Sequence, residues 1–166
     1  MIKEIVAAYA AKGDHGVEVN LKALARDEEF RKEVIKAVVS RVECKDGKPS
    51  PCVVIPAFDS GATDNHLGQL INELALNLQV KTLVTGKVEN FKCLRTHPKE
   101  VLIIKQSFRA GEGLKDQIAA LKALGAQKVG VLCFIAHNTA RMQGFGHENG
   151  VEIEALVKTD EIRYLE

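Results

Sequence analysis

The sequence predicts an α/β protein of three layers, in which helices cover both faces of a mostly parallel sheet. From Cys52 onward, short apolar runs of strand length alternate with amphipathic helical patterns. These strand runs are apolar at nearly every position, which is typical of parallel strands that are buried on both faces. The 166 residues suit a single domain with a sizeable core. We therefore expect one domain over 1–166, with a helical part at 1–48 and the core sheet and helices at 50–162.

The helical part is predicted from two segments with apolar residues at helical spacing. The first segment ends at Gly13, a residue suited to a helix stop, and its apolar positions are Ile2, Ile5, Val6 and Tyr9. The second runs from Asp27 to Val42. Its apolar stripe consists of Phe30, Val34, Ile35, Val38 and Val42.

Five strands and two helices are predicted beyond this part. The strands are expected at 52–56, 81–86, 100–105, 128–136 and 151–157. One helix is expected at 64–78, and another carries Leu114, Ile118, Leu121 and Leu124 before Gly125 ends it. The fifth strand alternates apolar residues with Glu152 and Glu154, which indicates an edge strand.

Composition excludes several classes of function. The formal net charge of +1 gives no basic field for nucleic acid. The longest apolar runs, such as 129–136, are too short to span a bilayer, and the first residues lack a signal-peptide pattern. The four cysteines have no C-x-x-C spacing for a zinc site, and Cys52 and Cys133 lie in apolar runs. We expect a reduced cytoplasmic protein that binds neither membrane nor nucleic acid.

The stretch "VLIIKQSFRAGEGLKDQIAAL", residues 101–121, has the layout of a phosphate-binding site. It combines a buried strand, a polar turn with two glycines, and a helix whose first N–H groups favour an anion. Gly111 and Gly113 allow the backbone to approach an anion closely, while Ser107 and Arg109 add a hydroxyl and a charged fork. The alternative is an ordinary strand-to-helix turn that needs glycine only for its conformation.

This layout resembles that of the type I phosphoribosyltransferases, most nearly the orotate phosphoribosyltransferase branch. The stretch "VLIIKQSFRAGEGL" occupies the place of the family signature, and "LGAQKVGVLCFIAH" and "GVEIEALVKTDEI" resemble the strands that follow. The stretch "PCVVIPAFDSGATDNHLGQLINELAL" resembles the earlier strand and the pyrophosphate-contacting loop. The resemblance covers roughly residues 50–162, and it implies a homodimer.

The signature departs from the family pattern where the chemistry of transfer resides. The paired acids that hold the ribose hydroxyls of phosphoribosyl diphosphate (PRPP) match Lys105 and Gln106. A lysine offers only donors, and its charge opposes a neighbouring magnesium ion. In the turn that holds the 5′-phosphate, Ala110 and Glu112 replace hydroxyl and glycine positions. The resemblance thus implies anion binding at 107–113, and magnesium only if the protein is active.

Two further loops resemble the family by location. Asp59 follows the first sheet strand and is the candidate functional acid, with Ser60 and Gly61 in the diphosphate region. Lys87 and Lys92 lie in a basic connection, 87–99, which resembles the mobile loop whose lysines meet pyrophosphate. The alternative for the second loop is a solvated, charged connection without a helix.

The segment 137–150 is polar and rich in glycine, and we interpret it as a loop in the base region. Its candidate ligand contacts are His137, Asn138, Arg141 and Phe145, the last as a platform for a base. The adjacent His147 and Glu148 lack a third ligand, so the sequence predicts no metal site here.

Three functional hypotheses remain open from the sequence. The first is a phosphoribosyltransferase-like protein that binds a phosphorylated ribose, nucleotide or similar anion and has diverged from transfer. The second is an active orotate-like phosphoribosyltransferase that uses PRPP and magnesium. The third is a noncatalytic regulatory or scaffold protein, because one fold serves many functions.

Overall fold

The computed structural model of the chain describes residues 2–14, 16–42, 52–56, 70, 73–74, 76–77, 82–85, 88–93, 100–109, 111 and 113–162. Its strands are β1 (Ala10–Gly13), β2 (Gly16–Val19), β3 (Cys52–Pro56), β4 (Thr82–Thr85), β5 (Glu100–Phe108), β6 (Lys128–Ala136) and β7 (Glu152–Lys158). Its α-helices are α1 (Ile2–Ala7), α2 (Leu21–Leu24), α3 (Glu28–Val42), α4 (Leu114–Ala123), α5 (Thr139–Asn149) and α6 (Thr159–Ile162). In the predicted helix 64–78, every described position is helical.

The main sheet has five strands in the order β4-β3-β5-β6-β7, and each pair of neighbours is parallel. The predicted parallel sheet is therefore confirmed, as is the edge position of the last strand. The chain leaves β3 toward β4 on one side and then continues through β5 on the other. This reversal is a topological switch point, and in open parallel sheets ligands bind where the strands end at such a point.

Two apolar clusters lie on opposite faces of this sheet, which confirms the three layers. On one face α1 and α3 pack against β-strand residues that include Ile104, Leu132 and Phe134. On the other face α4 and α5 cover Ile103, Val131 and Cys133. Neighbours along one strand alternate between the clusters because successive side chains of a strand point to opposite faces.

The N-terminal part differs from the helical prediction. The first helix ends at Ala7, and Gly13 is a strand residue that pairs with Gly16. The strands β1 and β2 form an antiparallel hairpin around Asp14. The spacing of Ile2, Ile5 and Val6 correctly marked a helix, but the prediction extended it across a hairpin whose short strands carry little alternation.

The start of α3 depends on the carboxylate of Asp27. Its oxygens accept hydrogen bonds from the Phe30 N–H at 2.9 Å and from the Tyr9 hydroxyl at 2.7 Å. The bond from Phe30, followed by that from Tyr9, lowers the pKa of Asp27 below its usual value. This carboxylate therefore caps α3 and ties it to Tyr9, two residues beyond the end of α1.

Replacing Asp27 with alanine is expected to lower the free energy of unfolding by about 1 kcal/mol, because the helix loses its N-cap. Tyr9→Phe removes only the hydroxyl bond and serves as the milder control. Since the folded-state pKa is lowered, the stabilisation is present above about pH 3.9 and is lost as the pH falls through the folded-state pKa. Urea unfolding at neutral and acidic pH measures both effects; equal stability of wild type and Asp27→Ala at neutral pH would contradict the capping role.

The segment predicted as a polar loop at 137–150 is largely the helix α5. Asn138 caps it through a bond from the Arg141 N–H at 3.0 Å, and Gly150 ends it with φ +62°. The stripe of Met142, Phe145 and Gly146 faces β7 and the second cluster. An amide N-cap, helical spacing and a terminal glycine were all visible in the sequence, but two internal glycines outweighed them in our interpretation.

The connection between β4 and β5 was expected to lack a helix, yet it contains a 3-10 helix at Val88–Cys93. Phe91 of this helix is 2% exposed and belongs to the second cluster, where it packs beside α4. An apolar anchor therefore fixes the middle of this connection. Lys92, the next residue, is exposed.

Candidate functional site

The crevice expected at the switch point is visible in the strand register. The strand β3 pairs with β5 as far as Val54↔Ile103, and then continues with β4 to Pro56. The strand β5 instead runs on beside β6 as far as Phe108. The two central strands thus part beyond Ile103, and the carboxyl-terminal section of β5 borders the opening.

The strand β5 is longer than predicted, and this changes the position of several candidate residues. Lys105, Gln106 and Ser107 belong to the strand and are each half-buried; only the residues after Phe108 form the turn. Lys105 pairs with Cys133, and Ser107 pairs with Ile135. The strand continues because Phe108, at 1% exposure, is a core residue. The phosphate-type turn therefore begins at Arg109 rather than at Ser107.

The turn opens α4 through two glycines with left-handed backbone angles. Gly111 has φ +75°, and Gly113, the N-cap position, has φ +70°. The Leu114 N–H donates to the Gly111 carbonyl at 3.2 Å, and the Gln117 N–H donates to the Gly113 carbonyl at 3.2 Å. Gly113, at the N-cap position, has no side chain to cap the helix, and none of the described residues provides a side-chain cap. The first turn of α4 therefore keeps the uncapped N-terminus that an anion can complement.

Phe145 of α5 closes one side of this turn. Its ring meets the Phe108 ring edge-on, with centroids 5.5 Å apart, and a methyl group added to Gly111 would lie 2.5 Å from it. The ring is half-buried and joins the second apolar cluster. We predicted Phe145 as a platform for a base; in this structure the ring packs against the protein, and the contact explains why Gly111 has no side chain.

Arg109 and His137 are neighbours at the carboxyl edge of the sheet. The register ends at Phe108↔Ala136, and the His137 N–H donates to the Phe108 carbonyl at 3.0 Å. The Thr159 hydroxyl in turn donates to the His137 carbonyl at 3.2 Å. Arg109 is exposed, whereas His137 is half-buried. The edge therefore presents Arg109 beside His137, with their backbones about 5 Å apart as on adjacent strands.

Burial is the main influence on the His137 imidazole. It lowers the pKa of His137 below its usual value, and the positive charge of Arg109 lowers it further. A hydrogen bond with the Val17 backbone and the Glu18 carboxylate, both on β2, act in the opposite direction. The imidazole is therefore mostly neutral at pH 7 and lies between the turn and the N-terminal hairpin.

Within the part of the chain that the structure describes, three buried side-chain atoms near this edge have no hydrogen-bond partner. They are Gln117 Oε1, His137 Nε2 and Thr139 Oγ1. Buried polar atoms are normally paired, so such a group of unpaired atoms is typical of a site that is completed by a ligand or water. The sequence did not single out Gln117 or Thr139, because neither has a distinctive pattern around it.

Asn138 and Arg141, the other predicted base contacts, have different surroundings. The Asn138 side chain is committed to capping α5. Arg141 is exposed, and it precedes Phe145 by one helical turn, so both lie on the same face of α5. Because Phe145 contacts the turn, Arg141 lies on the side of α5 that faces the candidate site.

Of the remaining candidate residues, the structure describes Lys92 alone. It is exposed on the 3-10 helix Val88–Cys93, which contacts α4. The other candidates lie outside the described residues: Asp59, Ser60, Gly61, Lys87, Ala110 and Glu112. Their roles stay predictions.

A magnesium ion does not fit the side chains that the structure describes at this edge. Magnesium prefers carboxylate and water oxygens, whereas Lys105, Gln106 and Arg109 offer an ammonium, an amide and a guanidinium. Among the described residues there is no group of three or more His, Cys, Asp or Glu side chains that could hold a metal ion. Cys133 is also unsuited to this role, because burial raises the pKa of its thiol to about 12.

A second cleft lies at the opposite, amino-terminal edge of the sheet. Lys128 lines it, and the Lys128 Nζ atom lies 3.9 Å from a carboxylate oxygen of Glu100 and 3.9 Å from one of Glu152. Arg41 is paired with Glu154. The charges of this cleft are therefore paired with one another. It does not lie at the edge where ligands bind in parallel sheets.

Comparison with solved structures identifies the fold. The orotate phosphoribosyltransferase of Aeropyrum pernix matches with a TM-score of 0.62 and 15% identity, over 98% of this chain and 96% of that chain. The Mycobacterium tuberculosis orotate phosphoribosyltransferase in complex with PRPP matches with a TM-score of 0.62 and 11% identity, over 97% of this chain and 89% of that chain. The Trypanosoma brucei adenine phosphoribosyl transferase in complex with AMP, pyrophosphate and ribose-5-phosphate matches with a TM-score of 0.66 and 10% identity. This match covers 95% of this chain and 79% of that chain. No family model and no curated protein sequence matches the chain.

These likenesses establish that the chain has the phosphoribosyltransferase fold, which the resemblance predicted. They extend over nearly the whole chain, although the sequence signal was confined to roughly residues 50–162. At identities of 10–15% they show the fold alone. Among the described residues, no helix combines the length and apolar character that a bilayer crossing needs.

Proposed function

We propose that this chain is a phosphoribosyltransferase-like protein that binds a phosphorylated ribose, a nucleotide or a similar anion at 107–113 and has diverged from PRPP-dependent transfer. One observation carries the proposal: an uncapped helix N-terminus follows a two-glycine turn at the switch-point edge, with Arg109 exposed beside it. Peptide N–H groups and a guanidinium are favourable hydrogen-bond donors to phosphate oxygens. Solved proteins of this fold are complexed with phosphate, PRPP or AMP, which supports a ligand of that chemistry.

The loss of transfer is proposed from the side chains that border the turn. The ribose hydroxyls of PRPP need acceptors, and the ammonium of Lys105 provides none. Its charge also disfavours a magnesium ion in the same place. We therefore propose that binding needs no metal, and that the positive charge of the turn and of Lys105 balances the phosphate instead.

An active orotate-like phosphoribosyltransferase that uses PRPP and magnesium is the alternative function. It requires Asp59 to supply the missing acid, and Lys87 and Lys92 to contact the diphosphate. A regulatory or scaffold role without any of these ligands is the weaker alternative. In each case we propose a homodimer, by analogy with the resembled enzymes, and a cytoplasmic location, which suits buried free thiols such as Cys133.

Calorimetry with ribose 5-phosphate, mononucleotides and PRPP, each with and without magnesium, tests the proposal. We expect binding of a phosphorylated ribose that magnesium does not alter, and no turnover of any nucleobase. Magnesium-dependent PRPP binding with turnover would establish the active enzyme instead. Failure of all these anions to bind would favour the scaffold role.

Replacing Arg109 with glutamine is expected to weaken this binding at least about tenfold, because a charge-assisted hydrogen bond contributes roughly 1.5–3 kcal/mol. Arg41→Gln is the matched control, since it removes the same charge at the opposite edge of the sheet. Equal losses in the two variants would indicate a general effect of net charge, and would contradict a local contact at the turn.

A further inference from the structure

His137 lies where the anion turn meets the N-terminal hairpin. Its backbone N–H donates a hydrogen bond to the Phe108 carbonyl, which is part of the peptide group that joins Phe108 to Arg109. Its Nε2 atom is buried and has no hydrogen-bond partner among the described residues. The only role predicted for this histidine was a contact with a base.

The charged groups around the imidazole come from two elements. Arg109, at the end of β5, disfavours the protonated form, and Glu18, on β2, favours it. The group that α6 places beside His137 is the neutral hydroxyl of Thr159. Of the two acids that follow Thr159, Asp160 is exposed and Glu161 forms an ion pair with Lys3.

The balance of these charges depends on whether an anion occupies the turn. While Arg109 is unpaired, its field opposes a second positive charge on the neighbouring imidazole. An anion bound to the guanidinium offsets that field, so that burial alone remains against the imidazolium form, while the Glu18 carboxylate favours it. By linkage, whatever favours protonation in the bound state must also favour binding when the proton is present.

We propose that His137 is the proton-taking member of the anion site, so that an anion bound at Arg109 draws a proton from solvent onto the imidazole. The inference rests on the proposed function, because it requires an anion at the turn. Protonation gives the ligand a second cation and supplies the buried Nε2 with a hydrogen to donate. The site therefore binds phosphorylated ligands more tightly in mildly acidic solution, provided that the ligand keeps its charge.

Sulfate is the probe that separates this effect from titration of the ligand, since it remains a dianion throughout the useful range. We expect its affinity to rise between about pH 7.5 and about pH 5.5, by up to about tenfold for each unit by which binding raises the pKa of His137. NMR titration of the imidazole should show a higher midpoint with saturating sulfate than without it. His147→Gln is the matched control, because His147 is exposed, and it should leave the pH dependence of the sulfate affinity unchanged.

His137→Gln and Arg109→Gln complete the experiment. His137→Gln should bind sulfate with an affinity that no longer depends on pH in this range. In the absence of any ligand, Arg109→Gln should raise the midpoint of His137, and an unchanged midpoint would overturn the coupling itself. Sulfate binding that leaves the wild-type midpoint and affinity independent of pH would also overturn the inference. If neither sulfate nor ribose 5-phosphate binds, the proposed function and this inference both fail, even where Arg109→Gln shows the coupling.

Discussion

Alanine at Gly111 is expected to abolish detectable anion binding at the turn and to lower the free energy of unfolding by roughly 1–3 kcal/mol. A methyl group there would lie 2.5 Å from the Phe145 ring, and φ +75° is unfavourable for any residue with a Cβ. The turn or α5 must therefore shift, and the peptide N–H groups move with it. Calorimetry with ribose 5-phosphate and urea unfolding measure the two losses.

The matched control for this variant is Gly113→Ala. Its φ of +70° imposes a similar backbone cost of about 1–2 kcal/mol. However, nothing lies within 4 Å of the position that the new methyl group would occupy. We expect Gly113→Ala to lose less stability than Gly111→Ala, with the difference arising from the contact with Phe145. Equal stability of the two variants would contradict the account of Phe145 as the wall of the turn.

Alanine at Gly146 is expected to destabilise the protein by roughly 1–3 kcal/mol, although alanine normally favours a helix. The helix α5 packs so closely on the last strand that a methyl group would lie 2.8 Å from an Ile153 carbon and 2.9 Å from the Val151 carbonyl oxygen. The carbonyl belongs to the backbone and cannot rotate away. The Val151 N–H is also bonded to the Gly146 carbonyl at 3.0 Å, which fixes the two segments together.

Gly144 provides the control on the same helix. Nothing lies within 4 Å of its substituent position, so Gly144→Ala should stabilise the protein by up to about 1 kcal/mol through helix propensity. Thermal unfolding of the two variants should thus shift in opposite directions. A stabilised Gly146→Ala protein would show that α5 does not pack this closely against β7.

The sheet was predictable from the sequence because its strands are buried on both faces. Runs such as "KVGVLCFIA" leave no polar face, and that pattern is specific to the inner strands of a parallel sheet. The helix α4 was predicted for a similar reason, since Leu114, Ile118 and Leu121 all face one cluster. Elements with a strong periodic pattern carry their own structural information.

The parts that the sequence did not predict depend on contacts between distant residues. The hairpin of β1 and β2 has four-residue strands, and part of its packing is with α6 and His137, which lie far along the chain. The end of β5 was placed too early, at Lys105, because Gln106 and Ser107 are polar, whereas the buried ring of Phe108 extends the strand. No local pattern reports either of these contacts.

The candidate site was predictable in its chemistry and less so in its arrangement. Gly111, Gly113 and Arg109 were identified from the strand-turn-helix layout, and the structure places them together at the switch-point edge. The adjacency of Arg109 and His137 could not be foreseen, because it depends on the register between β5 and β6. Asn138 caps α5 rather than contacting a ligand, which our interpretation of 137–150 as a loop did not predict.

The central claim is that the peptide N–H groups of the two-glycine turn bind a phosphate without a metal ion. Amide NMR spectra recorded during a titration with ribose 5-phosphate, in the presence of a chelator, test it most directly. We predict that the largest shifts occur at Gly111, Gly113 and Lys115, and that Arg109→Gln reduces them. Shifts confined to the opposite edge, around Arg41 and Lys128, or shifts that appear only when magnesium replaces the chelator, would contradict the account.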